Sequence, residues 1–110
     1  MMNDVVVIKV GTSSVTTDAG AIDFSTLSNL ARDIATFRAA GGRVVLVTSG
    51  AITAGWAEVG QGAPRPTEAQ VLQAVSAVGQ PLLLNAWRSA FEPEAITVGQ
   101  VLLAPHDFAN

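Results

Sequence analysis

The chain has 110 residues, 49% of them hydrophobic and 14% charged, with a mean hydropathy of +0.41; this specifies one folded body with a modest core and excludes an intrinsically disordered chain. A net charge of −3, six scattered basic residues and no apolar run of spanning length leave no footprint for nucleic acid or a membrane. Zero cysteines exclude disulfides, Cys-ligated zinc and thiol catalysis, and Met1-Met2-Asn3-Asp4 lacks the basic region of a secretory signal, so a cytoplasmic protein is expected.

Val5 to Val10 is a β-branched run ended by Gly11-Thr12-Ser13-Ser14, which reads as a strand buried on both faces of a parallel sheet. A polar loop with Asp18 and Gly20 follows, and Asp23 is placed to cap a helix whose apolar positions are Leu27, Leu30, Ala31, Ile34 and Phe37. Gly41-Gly42 ends that helix, and Arg43 to Val47 is a second buried strand, closed by Thr48-Ser49-Gly50. These pieces form a βαβ unit with a right-handed crossover.

A short helix is predicted from Ala51 to Val59, then a Gly/Pro loop from Gln61 to Pro66. Thr67-Glu68-Ala69-Gln70 fits a capping box that opens a helix reaching Phe91, kinked or split at Pro81. Ile96 to Leu103 is expected as a third strand, and Pro105-His106-Asp107 as the start of another helix. The alternation predicts a three-layer α/β sandwich with a mainly parallel sheet. Three strands are few for a sheet covered on both faces, and the composition is apolar for so short a chain, as though part of a larger body. Val-Gly-Gln recurs at Val59, Val78 and Val98, but its flanks read as loop, helix and strand, so no structural unit repeats.

Lys9 is the only lysine and sits inside the first apolar strand. A strand-end lysine can simply snorkel to water. Here, however, backbone donors and hydroxyls follow at once, at the sheet edge where open α/β folds bind ligands. Thr48-Ser49-Gly50-Ala51 leads into a helix in the same manner, and the free N–H groups of a helix start attract carboxylate or phosphate. The plainer reading of Thr48 or Ser49 is a side-chain cap. In a parallel sheet both loops open onto one crevice, so Lys9 and Ser49 are expected to face the same cleft.

Other motifs carry less. Gly50 and Gly55 have Walker spacing, but Trp56 stands where lysine belongs, and no Gly-x-Gly-x-x-Gly follows the first strand. His106, the sole histidine, reads as a solvated helix-start residue, Glu92 and Glu94 as a solvated turn, and Trp56 and Trp87 as packing residues.

Val7-Ile8-Lys9-Val10-Gly11-Thr12-Ser13 and Val45-Leu46-Val47-Thr48-Ser49-Gly50-Ala51-Ile52 together resemble the glutamate 5-kinases of the amino-acid-kinase family. The similarity continues through Gln73 to Gln80, Trp87 and Val98 to Leu103. The resemblance implies phosphorylation of the side-chain carboxylate of L-glutamate, with ATP and Mg²⁺, as the first step of proline biosynthesis. It matches Lys9 to an ATP-phosphate and catalytic lysine, Gly11, Thr12 and Ser13 to the turn around the transferring group, and Ser49, Gly50 and Ala51 to the glutamate-binding loop, with no metal ligand assigned. Family kinase domains are more than twice this long. Residues 1–110 therefore correspond to an N-terminal portion, inactive alone and homo-oligomeric in the full-length form. Another small-molecule kinase of the same family, or a non-catalytic anion-binding or interaction module, stays open at this level.

Overall fold

A computed structural model describes residues 4–102. The end of the expected third strand at Leu103, the helix start at 105–107 and His106 lie outside the described residues.

Strands β1 (Val5–Val10) and β2 (Arg43–Thr48) pair in parallel, with Val5 opposite Arg43 and Val10 opposite Thr48. Helix α2 (Phe24–Ala39) makes the crossover between them. Its start is fixed by Asp23, whose carboxylate accepts the Thr26 N–H at 3.3 Å and the Ser25 hydroxyl at 2.8 Å. Those two donors, the hydroxyl first, hold the Asp23 carboxyl below its ordinary pKa. At the other end Gly41, at φ +96°, turns the chain into β2.

The α/β class and parallel pairing are those the sequence specifies, but burial of the strands is one-sided. Ile8, Val10, Val44 and Leu46 pack with Leu27, Ala31 and Ile34 of α2. Leu83, Ala86, Trp87 and Phe91 of helix α4 (Ala69–Phe91) complete that core, with Trp87 and Phe91 stacked at 6.0 Å. On the opposite face Val5, Val7, Val45 and Val47 remain 41–60% exposed beside Lys9. The expectation of strands buried on both faces is therefore corrected: α2 and α4 lie on one side, and helix α3 (Ala51–Val59) packs chiefly on α4.

Three local readings are also corrected. α4 begins at Ala69 with Glu68 at the cap position and no side-chain cap bond, so the box at Thr67 and Gln70 does not form. The helix is not split at Pro81 but runs through it as one element, with buried Gly79 and Leu83 on either side. Residues 96–102 form no strand. Ile96 and Val98 keep a strand-like alternation and pack against the core, and the Gln100 amide donates to Gln80 Oε1 at 3.1 Å. Side chains thus hold this segment where a ladder was expected.

The packing of α3 on α4 depends on two glycines. A Cβ on Gly79 would collide with the carbonyl of Ala51, and one on Gly55 with the carbonyl of Val75. The helices cross backbone to backbone, closer than any side chain would permit.

Because the Asp23 pKa is lowered on folding, its stabilisation is present above the ordinary carboxylate range and is lost as pH falls through the lowered value. Thermal melts from about pH 7 to about pH 2 should show this loss, and Asp23→Asn, which keeps an acceptor but cannot ionise, should lack that component. Exposed apolar area drives association. The chain should accordingly self-associate in light scattering, and Val7→Thr with Val45→Thr should shift it toward monomer while leaving the helical circular dichroism intact.

Candidate substrate and phosphate cleft

Beyond β2 the ladder continues for one more bond, Ser49 N–H to the Val10 carbonyl at 2.9 Å. Thr48 is tied from below, accepting the Trp87 indole N–H at 3.3 Å while its hydroxyl donates to the Ser49 carbonyl at 3.1 Å. The bend after the strand is thereby anchored to β1 on one side and α4 on the other.

After β1 the chain forms a single helical turn, α1 (Thr12–Val15), where the sequence suggested an open loop. Ser14 N–H donates to the Gly11 carbonyl at 3.0 Å, and the Thr16 hydroxyl returns to the Thr12 carbonyl at 2.8 Å. Hydrophobic anchoring explains the turn, since Val15 is fully buried. It lies beneath Gly50, whose φ is +119° and where a Cβ would come 2.7 Å from Val15 Cγ2. Glycine is required there by both backbone and space.

Gly50 is the cap residue of α3 and no side chain caps the helix, which removes the plainer reading of Thr48 and Ser49 as caps. A cavity of about 450 Å³ opens at this helix start. Thr12, Ser49, Gly50 and Ala51 line it together, as their place at the strand ends suggested. Lys9, Gly11 and Ser13 fall outside its lining. Lys9 is exposed and stands opposite Val47 in the register, so strand alternation puts it on the side that Ser49 continues two residues later.

Four further polar residues line the cavity that sequence reading did not single out: Thr53, Arg65, Ser76 and Gln80. Ser76 and Gln80 are four residues apart on α4 and so share a side of the helix, a signal hidden under the apolar periodicity of the opposite face. Arg65 lies in the Gly/Pro loop, where no periodicity points anywhere. The cavity presents hydroxyls, an amide and helix N–H groups, carries one formal charge at Arg65, and has no carboxylate in its lining. Such a surface favours an anion. Among the described residues no group of three His, Cys, Asp or Glu side chains could hold a metal, and no helix is long and apolar enough to cross a membrane.

Two parallel strands ending in glycine- and hydroxyl-bearing bends around one cleft make this a parallel α/β protein, and the sequence profile of the amino acid kinase family matches residues 4–110. The chain belongs to that family. Over 104 residues it is 47% identical to the glutamate 5-kinase of Mycolicibacterium vanbaalenii, covering 94% of this chain and 28% of that protein. The glutamate 5-kinases of Halalkalibacterium halodurans and Pelobacter propionicus are 42% and 40% identical over 105 residues, covering 96% of this chain and 28% of each relative. The chain thus spans somewhat over a quarter of the length of these curated relatives.

Gly79→Ala should force α3 away from α4 at Ala51 and destabilise the chain by about 1–3 kcal/mol, read by denaturant unfolding. Ala77→Ser, on the exposed side of the same helix, should leave stability within about 0.5 kcal/mol of the parent.

Proposed function

We propose that residues 1–110 are the N-terminal portion of an ATP-dependent kinase that phosphorylates the side-chain carboxylate of L-glutamate, giving L-glutamyl 5-phosphate for proline biosynthesis. The supporting observation is the cleft at the carboxyl ends of β1 and β2, where Thr12, Ser49, Gly50 and Ala51 line one anion-favouring cavity. Membership of the amino acid kinase family and similarity to proteins named glutamate 5-kinase supply the substrate class.

In the proposed reaction a carboxylate oxygen attacks the γ-phosphorus of ATP in line; the new O–P bond forms as the bond to the β-phosphate oxygen breaks, and ADP leaves. No covalent enzyme intermediate is required. Ser49, Gly50 and Ala51 hold the acceptor through hydroxyl and backbone N–H donors. Gly11, Thr12 and Ser13 border the transferring group. Lys9 neutralises charge spreading over the phosphoryl oxygens, so catalysis rests on positioning and electrostatics. Mg²⁺ arrives as the Mg·ATP substrate; the described residues offer no acidic cluster to hold it. The working enzyme extends to the relatives' length and is a homo-oligomer, and the 110 residues alone do not turn over.

The test is acceptor-dependent ADP release by a chain extended to the relatives' length, with glutamate, acetylglutamate, aspartate and carbamate compared. Glutamate should give the highest kcat/KM, and preference for any other acceptor would overturn the reading. In that protein Lys9→Met should lower kcat by about 10² or more, and an unchanged kcat would remove Lys9 from the mechanism.

A further inference from the structure

The peptide groups on either side of Ser49 are fixed by different partners. The Ser49 N–H is taken by the Val10 carbonyl at 2.9 Å, so it is not free to bind a substrate. The Ser49 carbonyl accepts the Thr48 hydroxyl at 3.1 Å. A threonine hydroxyl has a single proton and two lone pairs. At Thr48 a lone pair receives the Trp87 indole N–H at 3.3 Å, and the proton goes to Ser49. Trp87 is 5% exposed and stacks on Phe91, so this chain of bonds starts in the core and ends on the peptide that joins Ser49 to Gly50.

In a trans peptide the N–H points opposite to the C=O, so whatever holds the Ser49 carbonyl also sets the direction of the Gly50 N–H. Gly50 is buried, and its N–H meets no hydrogen-bond acceptor among the described residues. Buried backbone donors are almost always partnered. Val15, beneath Gly50, offers only methyl groups, whereas the cavity that Gly50 lines with Thr12 and Ser49 lies beside it. We propose that Thr48 and Trp87 are positioning residues that hold the Gly50 N–H as a donor to a carboxylate oxygen of the substrate. This rests on reading the cleft as the glutamate site. Neither side chain binds the substrate in this role: Trp87 lies outside the cavity lining, and the Thr48 proton is already committed. The bond to the Ser49 carbonyl also polarises the peptide and makes the Gly50 N–H a stronger donor.

The test uses a chain extended to the relatives' length. Thr48→Val, which replaces the hydroxyl by a methyl group, should raise KM for glutamate about tenfold with KM for ATP unchanged. Thr48→Ser, which keeps the hydroxyl, should recover most of that loss. Trp87→Phe should reproduce the rise although it does not border the cavity, and the double variant Thr48→Val with Trp87→Phe should be no worse than the poorer single one, since both break one chain of bonds. Both single variants lower Tm, so the split between the two KM values decides. An unchanged KM for glutamate, an equal rise for ATP, no recovery in Thr48→Ser, or multiplied effects in the double variant would each overturn the assignment. A measurement independent of the variants is NMR of glycine-labelled parent protein, where glutamate should shift the Gly50 amide signal; an unmoved signal with glutamate bound would also overturn it. Failure of the parent protein to phosphorylate glutamate would overturn the functional reading itself, and this inference with it.

Discussion

The carbonyl of Ala51 rests against the backbone of Gly79, and the cleft depends on that contact. α3 packs chiefly on α4, and α4 is the helix that carries Leu83, Trp87 and Phe91 into the core. Position is thus passed from the core through α4 to the start of α3. The bend at Ser49 and Gly50 is held from three directions: the ladder bond to Val10, the Trp87 bond to Thr48, and fully buried Val15 under Gly50. A loop gripped in this way can present backbone donors with little reorganisation, which is what recognition of an anion by N–H groups demands.

Much of this frame was legible because its signals are local. The β-branched run Val5–Val10 gives β1, Asp23 caps α2 as its position implied, and α3 spans the predicted Ala51–Val59. The misjudged features depend on partners that local sequence does not specify. Ile96 and Val98 have the alternation of a strand, yet alternation reports only which side chains are buried and cannot supply a neighbouring ladder. A run of valines reads as buried on both faces, but burial of the second face needs a covering layer, which the described residues do not provide. Thr67 and Gln70 have capping-box spacing, while α4 starts one residue past Glu68 and leaves that bond unmade.

The site divides along the same line. Thr12, Ser49, Gly50 and Ala51 follow from the rule that parallel strands place their carboxyl ends together. Arg65, Ser76 and Gln80 reach the cavity from a loop and from a helix far along the chain, so only the crossing of α3 on α4 reveals them. Gly55 and Gly79 link both sets, because the absence of two side chains allows Ser76 and Gln80 to approach the helix start.

Lys9 shares its face of the sheet with the exposed valines, and this couples two features that look separate. While that face is open, the ammonium lies in water, where its attraction for a phosphate is weak and screened by salt. Any protein layer that covers Val5, Val7, Val45 and Val47 also takes the surroundings of Lys9 out of bulk solvent, lowers the local dielectric and strengthens its field along the strand toward Ser49. The apolar burial that stabilises such a layer and the electrostatics that would stabilise a phosphoryl transition state therefore arise from one event. A lysine among valines is costly to enclose unless an anion pairs with it, so closure of this face and anion binding each favour the other.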